Sequence, residues 1–135
     1  MAGLRVERVG KHDFVGRNER GATVRIGRNG MPGSFSPGEL LQIATAGCSA
    51  VTVEELVTRR AGDDAELVAL AEAEKSPGGH EYDLIRVTLL ADLSFLDDDT
   101  RERVVFAMRK AVERECTVSR TVERGAVVEL AVEPR

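Results

Sequence analysis

Two residues in this chain offer a redox-active sulfur, Cys48 and Cys116, and they are its only cysteines, 68 positions apart. A thiol reacts as the thiolate, and an ordinary thiol is only about 3% ionised at neutral pH, so a working cysteine needs a neighbour that favours the anion. Cys48 sits inside Ala44-Thr45-Ala46-Gly47-Cys48-Ser49-Ala50, a run of small, uncharged residues. Thr45, Ser49 and Thr52 lie around it on the helix, and their hydroxyls suit hydrogen bonds to sulfur or substrate as well as ordinary helix packing. Cys116 lies between Arg114 and Arg120. The pair does not form the Cys-x-x-Cys of a thioredoxin-like motif. Taken alone, the residues leave open that both are small core hydrophobes. The histidines His12 and His80 are far apart in sequence and in polar surroundings. They provide no close ligand pair to seed a zinc site and no signature of a Cys–His hydrolase.

The elements that must position these sulfurs follow from periodicity. Leu4 to Val9 alternates like a strand, Phe14-Val15 suits a second, and Ala22, Val24 and Ile26 alternate with Thr23 and Arg25 as a half-buried third. Arg17-Asn18-Glu19-Arg20 reads as the turn between them, bracketed by Gly16 and Gly21. Ser36-Pro37-Gly38-Glu39 reads as a helix start: Ser36 caps, Pro37 fits the first helical position and Glu39 completes a capping box. This helix runs to about Arg60, and its apolar middle predicts burial on every side. Leu67–Ala73 and Leu84–Leu93 are strand candidates joined by Ser76-Pro77-Gly78-Gly79. Asp99 with Glu102 predicts the start of a second helix that ends near Glu115-Cys116, and Ala126–Val132 alternates like a last strand. Strands, helix, strands, helix and strand make an α+β pattern.

The 135 residues fit a single domain, 1–135, and 42% hydrophobic content supports a core built from Val, Leu and Ala. A net charge of −4 with interspersed signs argues against a nucleic-acid partner. No stretch reaches the roughly 18 consecutive apolar residues of a membrane span, so no membrane partner is expected. The charged stretch Met1–Glu7 lacks the apolar region of a signal peptide, which sets the cytoplasm as the expected compartment. A lasting structural disulfide is not expected there, whereas a transient catalytic one remains allowed.

Four segments, in order, raise the thiol reading: Phe14-Val15-Gly16-Arg17-Asn18-Glu19-Arg20-Gly21, Ser36-Pro37-Gly38-Glu39-Leu40-Leu41, Ala46-Gly47-Cys48-Ser49-Ala50, and Glu115-Cys116-Thr117-Val118-Ser119-Arg120-Thr121-Val122. Together they resemble the landmarks of the OsmC/Ohr family over nearly the whole chain. The resemblance implies an OsmC-like two-layer α+β fold, with antiparallel sheets around a long Cys-bearing helix. It also implies an intertwined homodimer with active sites at the subunit interface. In that family Cys48 matches the peroxidatic position and Cys116 the resolving one, and Arg17 falls at the active-site arginine, with Arg20 a close competitor in the same turn. Glu39 is the only acid near the position whose carboxylate pairs with that arginine. Gly38 stands where the family's main branches carry the acid, and Pro-x-Glu matches a third, less defined branch.

The implied activity is a cysteine-based hydroperoxide reductase without cofactor or metal. Its substrates are organic and also hydrogen peroxides, and an external thiol or dithiol is the reductant. A Cys48–Cys116 bridge requires Cα atoms within about 7 Å, so the second helix must end against the middle of the first. The apolar helix surface predicts an apolar pocket wall and a preference for organic hydroperoxides. The alternatives on the same fold are a redox sensor and a non-catalytic small-molecule-binding dimer.

Overall fold

The computed structural model describes residues 3–134. It is an α+β fold with antiparallel sheets, and it divides into two compact units, Met1–Ile43 and Ala44–Arg135.

In the first unit, alternation becomes a three-stranded meander of β1 (Arg5–Gly10), β2 (Asp13–Arg17) and β3 (Thr23–Gly27). Asn18 closes the β2–β3 turn, its Oδ1 accepting from the amides of Arg20 and Ala22 at 2.9 Å each. Phe14 pairs directly with Ile26, and Gly16 with Val24. Gly16 fits closely there, because a Cβ would lie 3.0 Å from a Val24 methyl, which would have to give by a few tenths of an ångström. The chain then folds back on β3, with Gly27 N–H donating to Phe35 O and Phe35 N–H to Arg25 O. That contact delivers Ser36 to the start of α1 (Pro37–Ala61). The expected capping box is formed: Ser36 Oγ accepts from Glu39 N–H at 3.2 Å, and Glu39 Oε1 accepts from Ser36 N–H at 2.8 Å.

The second unit pairs β4 (Leu67–Lys75) with β5 (Tyr82–Ala91) and adds α2 (Asp98–Glu115) and α3 (Thr117–Arg124). Its core joins Val53 and Val57 of α1 to Val104 and Met108 of α2 and to Leu93 after β5. By length and composition α1 matches a membrane span, but Val53 and Val57 are wholly enclosed by protein and Glu54 and Glu55 lie beside them, as suits a core helix.

Four expectations are corrected. Residues 126–132 form no strand: they are exposed and without regular structure, because no described strand pairs with them to take their backbone hydrogen bonds. A third helix, α3, follows Cys116 where none was expected. The cap of α2 is Asp97, not Asp99; Asp97 is extended, its side chain accepts from Thr100 N–H at 2.8 Å, and Asp99 falls within the first turn. Finally, α1 is not buried all round, since Thr45, Ala46 and Ser49 are enclosed while Val51 is 77% exposed.

The Asp97 cap generates a test. The side-chain hydroxyl and backbone amide of Thr100 lower the Asp97 carboxyl pKa, so the cap contributes above the ordinary carboxylate pKa and is lost as pH falls through the lowered value. Thermal unfolding at neutral pH should show Asp97→Ala melting several degrees below wild type and Asp99→Ala close to it, with the Asp97 difference vanishing in strong acid.

Candidate active site

Cys116 is the joint between two helices. Its N–H donates to Val112 O at 3.1 Å and finishes α2, while its C=O accepts from Arg120 N–H at 3.0 Å and opens α3. The extended backbone at this one residue, φ −73° and ψ 99°, turns the chain between them. Arg120 Nη1 donates to Glu113 O at 3.0 Å and ties the corner across both helices. Gly125 ends α3 in the left-handed conformation at φ 73°, which glycine adopts without strain.

This corner sends the Cys116 side chain against the middle of α1. Its sulfur lies 3.1 Å from Ser119 Oγ and 3.8 Å from Ser49 Oγ. Ser49 in turn donates to Thr45 O at 3.2 Å, and Thr52 donates to Cys48 O at 2.7 Å. Of the three hydroxyls expected around Cys48, Ser49 therefore reaches a sulfur, and that sulfur belongs to Cys116. The Cys48 thiol, next to Ser49 on α1, also acts on the ionisation of the Cys116 sulfur. Both cysteines are free; Cys48 is partly exposed and Cys116 enclosed.

Cys116 has no solvent exposure, yet it lies just beneath the surface rather than deep in the core. Burial pushes its thiol pKa up. The Ser119 hydroxyl and amide, the Cys48 thiol and the Ser49 hydroxyl act in the opposite direction and together hold it below the ordinary thiol value. The Ser119 amide makes no full capping bond to the sulfur but turns its partial positive charge toward it. As a thiol, Cys116 donates to Ser119 Oγ; as a thiolate it accepts from the same hydroxyl, which rotates to suit.

A cavity of about 590 Å³ opens beside Ser49, walled by Leu89, Leu93, Val105, Met108 and Val112, with Arg86, Arg109 and Glu113 adding charge. A hollow of about 720 Å³ between α1 and α2 is lined by charged groups including Glu55, Arg59 and Lys110 and does not include Ser49; neither cysteine lines either hollow.

The other two expected site residues belong to the first unit. Arg17 ends β2 half-exposed, with Nε 3.7 Å from Glu7 Oε1. Glu39 holds the capping box described above. Ser119 is the residue whose role the sequence reading missed. The signal was the Cys116-x-x-Ser119 spacing, which at a helix start sets the fourth residue's amide and side chain over the first.

The OsmC-like protein family model matches residues 29–131, and the chain belongs to that family. An uncharacterized protein of Mycobacterium tuberculosis is 41% identical over 132 residues, covering 98% of this chain and 96% of that protein. Among solved structures, a hypothetical protein from Aquifex aeolicus superposes with a TM-score of 0.62 at 17% identity, covering 90% of this chain and 86% of that one. The organic hydroperoxide resistance protein OhrB of Bacillus subtilis gives a TM-score of 0.54 at 20% identity, covering 90% of each chain. These structural likenesses establish the shared fold.

The balance at Cys116 has a measurable sign. A thiol pKa lowered by folding contributes nothing at acid pH, adds stability as pH rises past the folded value, and reaches its full contribution above the ordinary thiol pKa. In a Cys48→Ser background, ultraviolet thiolate absorbance should titrate below that of a free thiol, and Ser119→Ala should move it upward. The stability advantage over Cys48→Ser/Cys116→Ser should widen between neutral pH and about pH 9.

Proposed function

We propose that this chain is a cytoplasmic, cysteine-based hydroperoxide reductase that works as a homodimer. One observation carries the reading: Cys116 packs on α1 through Ser49, the residue after Cys48, with its sulfur 3.1 Å from Ser119 Oγ and its thiol pKa lowered by Ser119, Cys48 and Ser49. Membership of a family whose fold is shared with an organic hydroperoxide resistance protein supports it.

Cys48 is the sulfur that meets peroxide, since it is the partly exposed member of the pair. Its thiolate attacks the outer oxygen of ROOH, the O–O bond breaks, and the alkoxide leaves as ROH after taking a proton. Cys48 is then a sulfenic acid. The Cys116 thiolate attacks that sulfur, hydroxide leaves as water, and a Cys48–Cys116 disulfide remains. An external thiol or dithiol returns both sulfurs to the reduced state. The apolar walls beside Ser49 suit an alkyl or acyl chain, which favours organic hydroperoxides over hydrogen peroxide. Arg17 is assigned to binding the peroxide, because a guanidinium offers paired donors to both oxygens and its contact with Glu7 is long. Glu39 is assigned to orienting that arginine while it continues to cap α1.

Reduced protein titrated with cumene hydroperoxide should lose both thiols at one equivalent and gain a Cys48–Cys116 bridge by mass. With a dithiol present it should turn over repeatedly, and Cys48→Ser should abolish turnover. Arg17→Ala should slow it about tenfold or more through lost positioning, against little change for Arg20→Ala. Stoichiometric oxidation without turnover would mark a redox sensor, and thiols that survive excess peroxide would make this a binding protein.

The homodimer is supported by the segment after α3. Val127, Val128, Leu130 and Val132 are 77–90% exposed, an apolar surface that a second copy would cover by strand pairing. Light scattering should give a dimer mass, and a chain ending at Gly125 should give a monomer.

A further inference from the structure

The two sulfurs are placed unequally. Cys116 is enclosed at the α2–α3 corner, with Ser119 Oγ at 3.1 Å and Ser49 Oγ at 3.8 Å. Cys48 is partly exposed, and the nearby Thr52 hydroxyl is engaged by the Cys48 carbonyl rather than by sulfur. Thiol–disulfide exchange requires the attacking sulfur to approach along the S–S axis, and it runs fastest when the departing sulfur is well stabilised as an anion. An approach to Cys116 is closed by Ser49, Ser119 and the helix corner. Cys48 is the partly exposed residue of the pair, so it is the one an external thiol can meet.

We propose that the external thiol attacks Cys48, and that Cys116 is the leaving thiolate, positioned by Ser119 and Ser49. This rests on the reading that the two sulfurs bond during turnover. The external thiolate forms a bond to Cys48 Sγ, the Cys48–Cys116 bond breaks, and its electron pair stays on Cys116. A second external thiol then attacks the external sulfur of the mixed disulfide and releases Cys48 as thiolate. The external thiols are oxidised by two electrons to a disulfide, the protein disulfide is reduced by two, and the protons shed by the external thiols return to the protein sulfurs or to solvent. Ser119 is a positioning residue in this scheme: it receives the departing charge and keeps Cys116 aimed at α1, and it touches neither reductant nor peroxide. The same arrangement explains why an enclosed cysteine can still serve a solvent-borne reductant. Only its partner has to be met.

The test does not depend on peroxide. The protein is oxidised with diamide, exposed briefly to glutathione, quenched in acid, and mapped by mass for glutathione on each cysteine. Glutathione should lie predominantly on Cys48. Ser119→Ala should open roughly three- to tenfold more slowly, with less thiolate absorbance after full reduction, and Ser119→Thr should restore both. Glutathione mainly on Cys116, or divided equally, overturns the proposal. Unchanged opening and absorbance in Ser119→Ala overturn the role of Ser119. Failure of diamide to form the bridge overturns this proposal and the peroxidase reading together. A bridge that diamide forms and peroxide does not removes the peroxidase reading alone, and the glutathione map still decides which sulfur is attacked.

Discussion

The second unit depends on the double use of one backbone residue. Cys116 completes α2 with its N–H and begins α3 with its C=O, so neither group is left for another conformation. With the main chain fixed at both ends, the direction of Cα–Cβ is set, and the side chain falls on α1 beside Ser49. A thiol on a free loop would have many directions and would lose conformational entropy on meeting its partner. Here that loss is shared with the formation of two helix ends.

The small residues of α1 are the counterpart of this corner. Thr45, Ala46 and Ser49 are buried, and at Ser49, which meets the Cys116 sulfur, a larger side chain would hold the corner away. The hydroxyls also have a second function. Ser49 and Thr52 return their protons to carbonyls one turn earlier, so they are polar groups that the helix itself satisfies and that can sit beside an apolar core at little cost. Ser49 Oγ thus lies within reach of both Thr45 O and the Cys116 sulfur, its single proton serving one or the other, and the apolar cavity opens directly beside it.

Much of this was legible in the residues. The capping box at Ser36 and Glu39, the three N-terminal strands, the β4–β5 hairpin and the extents of α1 and α2 all follow from local pattern and turn chemistry, which act over a few residues. The cysteine pair was legible as a pair only through the family resemblance, because no local rule brings together residues 68 apart. The α3 helix was missed because Cys116 is not among the usual capping residues and the eight residues after it are short and polar enough to pass for loop. The alternating tail after Gly125 misled for the opposite reason. Its pattern is that of a strand, but a strand is defined by a neighbour, and the pattern carries no information on where that neighbour is.

The hydrogen bond between Ser49 and Cys116 joins residues 67 apart and bears on how the chain folds. Closing a loop of that length costs entropy before any contact repays it, so this contact forms only when folding has brought α1 and the α2–α3 corner together. In the unfolded chain the two thiols are ordinary and separated, and the surroundings that shift the Cys116 thiol come into being with the native state. If the two sulfurs bond as proposed, the long loop between them becomes a cross-link that restricts the unfolded chain, worth about 4 kcal/mol in the chain-entropy view.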